Sequence, residues 1–179
     1  MLSRVASHLY WMSRYLERSE NMARILDVTQ SLAMLDRSAD SGGAMTPIVI
    51  TEAQAEFAAT NLPATYGNVI ALLAWDRQHP SSIRNCIEAT RENARAVRGS
   101  ITSEMWENIN DTWIAFQEKQ KNIDPLMTGN EFFEWVKERS HLFRGVTFAT
   151  ARRDQPYHFT RLGTFIERAD NTARILNVK

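Results

Sequence analysis

The chain has 179 residues, 44% hydrophobic and 23% charged, which is enough for one domain with an apolar core. Lys+Arg and Asp+Glu each number 21, so no global field pulls it toward nucleic acid or an acidic membrane surface. Cys86 is the one cysteine, which excludes an internal disulfide framework and fits a reducing compartment.

No apolar run reaches the ~18 residues of a membrane span. The N-terminus mixes charge throughout and lacks the apolar block of a secretory signal, so a cytoplasmic location is expected. Residues 2–35 read as one long helix: Val5, Leu9, Met12, Leu16, Ala23 and Leu26 recur at helical spacing without a Gly or Pro. Residues 36–47 are a loop by composition. Short helices are expected over 51–59, before Asn61–Leu62–Pro63, and over 66–77, before His79–Pro80. Ser81 or Ser82 caps the next helix, whose buried stripe is Ile83, Cys86, Ile87, Thr90, Ala94 and Val97 and whose stop is Gly99.

A helix over 102–121 follows, with Met105, Trp106, Ile109, Trp113 and Phe116 on one side, and Asp124–Pro125 breaks it. Thr128 to Glu131 has capping-box form and opens a helix bearing Phe132, Phe133, Val136 and Phe143. The last helix starts near Asp154 or Pro156 and is expected to run on to Lys179. Nothing alternates with period two for long enough to make a strand. The expected fold is all-α, an up-and-down bundle of about seven helices.

The first and last helices share a motif. Residues 8–28 (HLYWMSRYLERSENMARILDV) and 158–178 (HFTRLGTFIERADNTARILNV) are identical at nine of 21 positions, offset by 150. The shared residues include His8/His158, Glu17/Glu167, Arg18/Arg168, Asn21/Asn171 and Arg24/Arg174. At about 100° per residue, Glu17, Asn21 and Arg24 fall within one arc, with Ser13 and Glu20 beside them. Met12, Leu16, Ser19, Ala23 and Leu26 lie opposite. Glu167, Asn171 and Arg174 repeat the arc, flanked by Gly163 and Asp170. The apolar side changes residue type between copies while Glu, Asn and Arg do not, so the polar arc is under constraint. Two readings stand: the helices pack and their Glu and Arg pair across a pseudo-twofold axis, or the arcs line a ligand site. The residues concerned are Glu17, Arg18, Asn21, Arg24, Glu167, Arg168, Asn171 and Arg174.

These segments resemble the bacterial alpha-E domain family. Besides RYLERSENMARILDV and FIERADNTARILNVK, the resemblance extends to residues 79–84 (HPSSIR), 89–110 (ATRENARAVRGSITSEMWENIN) and 136–145 (VKERSHLFRG), and so over most of the chain. It implies an all-helical domain over 1–179. Family members resemble one another in being longer, with helices after the second copy, so the resemblance implies a truncated or split version. The resemblance also implies a setting beside atypical ATP-grasp ligases and transglutaminase-like proteins, in a peptide-forming or peptide-modifying system. It brings no catalytic residues.

Other chemistry is sparse. Glu138 and His141 stand one turn apart, but bundle di-iron sites need two such pairs plus two further Glu, and no second E-x-x-H occurs. They are the two candidates for metal ligation, and no metal or other cofactor is expected. His8 and His158 lie nearer the apolar side, as packing residues. Cys86 on a buried stripe reads as an inert thiol. Arg139, Arg144, Arg152, Arg153, Arg161 and Arg168 make the C-terminal third basic, but Glu134, Glu138, Asp154 and Glu167 are interspersed, which argues against nucleic acid. The tryptophans mostly fall on apolar stripes, with Trp11, matched by Arg161, as the exception. No phosphate-cradling loop, nucleophile elbow or zinc spacing occurs.

Two functions fit. One is a non-catalytic helical partner or substrate-presenting module, binding an ATP-grasp-type ligase or a transglutaminase-like protein. The other is an enzyme whose site is formed by the paired Glu/Asn/Arg faces, with a metal on Glu138 and His141 as a variant. Oligomeric state is open, a homo-oligomer included.

Overall fold

The computed structural model describes residues 1–35 and 43–178, and every regular element among them is helical. Five long helices form the bundle: α1 (Ser3–Leu35), then α5 (Ile83–Ala96), α6 (Ser103–Asn122), α7 (Asn130–Thr150) and α8 (Gln155–Asn177). Three short ones, α2 (Thr46–Thr51), α3 (Gln54–Ala59) and α4 (Tyr66–Ile70), lie between α1 and α5, and α4 continues into a π-helical turn over Ala71–Trp75. No described helix is long and apolar enough to cross a membrane.

α1 is the axis of the bundle, packed by α5, α7 and α8, while α6 closes against α5 and α7. Side-chain bonds fix the directions. His8 Nδ1 donates to Asn93 Oδ1 at 2.8 Å, and Lys137 Nζ reaches Asp27 Oδ2 at 2.8 Å, so α5 and α7 run antiparallel to α1. Arg91 to Asn110 joins α5 to α6, and Thr102 to Thr150 joins α6 to α7. The five long helices therefore alternate up and down, and α8 ends parallel to α1.

Local chemistry starts each helix. Ser82, Thr102 and Asp154 each accept from the backbone N–H three residues on, capping α5, α6 and α8. The α5 stripe is buried as expected, from Ile83 to Val97. Apolar packing falls into two clusters. The larger sits around Trp75, which stacks on Phe116 and Phe132, with Phe133 edge-on to Phe132. The other, around Leu9, Met12, Leu16 and Phe143, lies toward the opposite end of α1.

Four expectations need correction. The helix expected over 51–59 is two helices. Pro47 lies in the first turn of α2, and Glu52 ends it in the left-handed region (φ 57°), so α3 starts only at Gln54. The expected loop over 36–47 lies outside the described residues as far as 42, and Thr46 and Pro47 already belong to α2. The capping box at Thr128 does not form: Gly129 caps α7 with no side-chain bond. Thr128 is instead buried and accepts from Trp75 Nε1 at 2.7 Å, because a buried indole N–H requires an acceptor. Finally, α8 ends at Asn177, and Lys179 lies outside the described residues.

The arcs of the shared motif are used differently in the two helices. In α1 both are buried, the apolar arc at Met12, Leu16, Ser19, Ala23 and Leu26 and the polar arc at Ser13, Glu17 and Glu20, as an axial helix requires. In α8 only the polar arc faces inward. Gly163, Thr164 and Glu167 are buried, while Leu162, Phe165, Ile166 and Leu176 face solvent, contrary to an apolar side that packs in both copies.

Candidate functional site

α8 lies against α1 with the same 150-residue offset that aligns their sequences. The closest approach is at Ser13 and Gly163. A Cβ built on Gly163 would stand 2.2 Å from Ser13 Oγ and 2.3 Å from the Tyr10 carbonyl oxygen, so only glycine admits this approach. Ser13 turns its hydroxyl back to the carbonyls of Leu9 and Tyr10, leaving nothing polar unpaired at the contact.

One turn further on, two ion-pair clusters clasp the helices. Glu17 accepts from Arg168 Nε at 2.6 Å, and Glu167 accepts from Arg18 at 2.7 and 3.0 Å. Each carboxylate of one helix thus takes the guanidinium of the other. Each also has further partners: Arg14 Nε reaches Glu167 at 2.5 Å, and Arg144 of α7 reaches Glu17 at 3.1 Å. Glu20 is held by Arg144 and by Arg24, its i+4 neighbour. Asp170 repeats that spacing with Arg174, which also holds Glu52 of the α2–α3 turn at 2.8 Å. Glu17, Glu20 and Glu167 are 4%, 2% and 3% exposed, so each needs such partners to stay ionised.

Glu20 shows the electrostatic balance. Burial alone would raise its carboxyl from 4.5, but hydrogen bonds from Arg144, Ser140 and Arg24 outweigh burial and hold it at about 2. The folded value lies below the unfolded one, so the unfolded chain binds more protons as pH falls. Stability from ionised Glu20 is therefore complete above about pH 4.5 and is lost toward pH 2. The Glu20→Gln variant is expected to be less stable at neutral pH, with a stability curve flatter than the parent's between those limits. Urea midpoints across that range would check this.

The eight residues singled out by sequence do not share one surface. Glu17, Arg18, Glu167 and Arg168 make the reciprocal clasp. Arg24 and Arg174 lie at its outer edge, with side chains 50% and 36% exposed. Asn21 and Asn171 flank a recess of about 120 Å³ between α1, α2 and α8, and the Nδ2 of Asn21 has no partner among the described residues. His141 points to Glu20, its Nε2 3.2 Å from Oε1 and also 3.1 Å from Arg24 Nη2, while Glu138 is exposed. Among the described residues no three His, Cys, Asp or Glu side chains converge as a metal site would require. His8 bonds Asn93, and His158 is exposed. Cys86 is fully buried, which pushes its thiol up to about 12. Trp11 stays 38% exposed, beside Tyr10 and Tyr15 with the Arg14 guanidinium over its ring.

Arg14, Arg144 and Ser140 are the members that sequence reasoning missed. Arg14 faces Thr164 in the aligned copy, so identity between copies could not mark it, and Arg144 stood among six C-terminal arginines without a signal to separate it. The i,i+4 pairs Glu20/Arg24 and Asp170/Arg174 were readable from spacing.

The fold and site define a helical bundle closed by Glu–Arg pairs exchanged between its first and last helices. The chain belongs to the Alpha-E family, described as a predicted alpha-helical domain with a conserved ER motif, whose sequence model matches residues 1–179. Glu17–Arg18 and Glu167–Arg168 are Glu–Arg dipeptides, and these four side chains make the exchange. The chain is also similar to uncharacterised proteins of Mycobacterium bovis and of two strains of Mycobacterium tuberculosis. Each is 27% identical over 135 aligned positions, covering 68% of this chain and 14% of the relative's length, so the chain spans about a seventh of these proteins. No solved structure matches it.

Proposed function

We propose that this chain is a non-catalytic helical partner or substrate-presenting module in a bacterial peptide-forming or peptide-modifying system. The observation that carries the reading is the closed state of the clasp: Glu17, Glu20 and Glu167 each spend their oxygens on guanidinium groups. A general base or nucleophile needs a free lone pair facing a substrate, and these carboxylates have theirs occupied. Glu17, Arg18, Glu167 and Arg168 act as a structural lock that orients α8 on α1. Its partner is an ATP-grasp-type ligase or a transglutaminase-like protein, met in the cytoplasm, where the lone buried thiol needs no oxidising environment. Nucleic acid is not the proposed ligand. Arg144 and Arg168 are taken by Glu17 and Glu20, and Arg139 donates to Thr112 and the Asn108 carbonyl.

Co-expression with the ATP-grasp-type and transglutaminase-like proteins of the same organism tests this. A stable complex with one of them is the expected result, with no turnover by the isolated chain. Failure of both to co-purify, or peptide-bond chemistry by the chain alone, would sink the reading. The enzyme alternative has one observation in its favour, the unpaired Asn21 amide beside the Asn171 recess, and turnover lost in Asn171→Ala would support it.

A further inference from the structure

Along the outside of α8 runs an apolar stripe that nothing among the described residues covers. Leu162, Phe165 and Ile166 are 48%, 49% and 42% exposed and Leu176 is 80% exposed; Ala169 and Ala173 are exposed between them. Leu162, Ile166, Ala169, Ala173 and Leu176 follow one another at steps of 4, 3, 4 and 3, the seam by which one helix packs along another. The two alanines keep the middle of the seam shallow, so a second backbone can come close. An apolar stripe of this period and extent on a helix surface marks an interaction site.

One edge of the seam is basic. The Arg161 guanidinium lies 4.7 Å from the Phe165 ring centroid, and that of Arg153 lies 4.5 Å from those of Phe148 and Tyr157. Their contacts among the described residues are these rings and the Tyr157 hydroxyl, with no carboxylate. On the other edge Asp170 is already neutralised by Arg174 and Arg14. A helix laid on this face therefore meets uncompensated positive charge on one side only.

We propose that the outer face of α8 docks an amphipathic helix of another protein, apolar along its own seam and acidic along the edge that meets Arg153 and Arg161. This rests on the partner reading above and names the surface that would serve it. A second copy of this chain suits the face less well. In antiparallel two-fold pairing each edge meets the same edge of its copy, which sets the basic edge of Arg153 and Arg161 against like charge.

Two labelled synthetic helices of three heptads test the proposal, identical in their Leu/Ile seam but bearing Glu or Lys along the edge. Fluorescence anisotropy at physiological salt should show the Glu-edged helix binding at least about tenfold tighter than the Lys-edged one, since complementary and like-charge edges differ by more than ~1.4 kcal/mol. Ile166→Glu should abolish both interactions, and Arg153→Glu with Arg161→Glu should invert the preference. These side chains face solvent, and circular dichroism would confirm unchanged helicity. Equal binding of the two helices, or binding of neither, overturns the proposal. So does a dimer by light scattering that Ile166→Glu dissociates, or a single-stranded oligonucleotide that outcompetes the Glu-edged helix. The synthetic helices need no ligase, so failed co-purification leaves this result standing, and failed peptide binding leaves the complex to be judged by itself.

Discussion

Gly163→Ala is expected to loosen α8 from α1 and to cost about 2 kcal/mol or more of stability. The added methyl would meet Ser13 Oγ at 2.2 Å and the Tyr10 carbonyl oxygen at 2.3 Å. The second atom is backbone two turns inside a 33-residue helix and cannot step aside. Overpacking of this kind costs ~1–3 kcal/mol and sometimes more, and it exceeds the ~1 kcal/mol gained by replacing a helical glycine with alanine. Ser13→Gly in the same chain should not rescue it, because the Tyr10 carbonyl remains. Gly145→Ala is the control. Gly145 also lies within a helix, α7, but its Cβ would meet nothing within 4 Å, so that variant should gain close to the full propensity difference. Urea denaturation gives both signs, and amide exchange over residues 155–177 would rise in Gly163→Ala ahead of global unfolding. A Gly163→Ala variant as stable as Gly145→Ala would mean that the two helices do not meet as described.

That prediction depends on a residue whose role was only half legible. Sequence comparison placed Gly163 opposite Ser13 in the aligned copies and put both beside the polar arc. It could not show that these two positions touch. Similarity between two segments is compatible with their being neighbours or strangers, and three-dimensional register enters only through packing. The long helices were legible because their apolar spacing and breakers agree with their starts: of the cap candidates Ser81 and Ser82 the structure uses Ser82, and the expected starts near Thr102 and Asp154 are both capped there. The region before α5 was not, since α2 and α3 are single turns and a bit, too short for periodicity to register, and their break rests on the left-handed backbone of Glu52. At Thr128 a local cap signal lost to a tertiary demand, the buried indole of Trp75.

The polar arc is legible in the Glu, Asn and Arg kept between the two segments, but its geometry is not. Helical angle alone places Asn21 and Arg24 with Glu17. In the structure Glu17 is nearly sealed while Arg24 reaches solvent, because Arg144 arrives from α7 over Glu17 and leaves Arg24 uncovered. α8 departs furthest from expectation. An apolar stripe read from sequence is normally a core stripe, and nothing in the residues themselves says that Leu162, Ile166 and Leu176 face out.

Glu167→Gln should be about as damaging as the glycine change, by an independent route. Glu167 is 3% exposed and accepts from both Arg14 and Arg18, whose side chains are 13% and 24% exposed. The amide keeps the shape and one acceptor but removes the charge, leaving two guanidinium groups facing each other with Asp170, 3.9 Å from Arg14, as the nearest relief. Removing one member of a buried pair costs on the order of 3 kcal/mol. Glu17→Gln should behave alike, since Glu17 serves Arg168 and Arg144. Glu118→Gln, which breaks the Lys121 pair where both side chains are more than 60% exposed, should change stability by less than ~0.5 kcal/mol. The contrast separates the two readings of the clasp. A lock loses stability when its charge is removed, whereas a ligand site, whose groups are held in surplus for a substrate, becomes more stable or stays unchanged. Denaturation midpoints of Glu167→Gln at or above the parent value would therefore return the Glu–Arg exchange to the list of binding sites. A large loss would fix it as the joint that holds α8, and with it the apolar seam, in place.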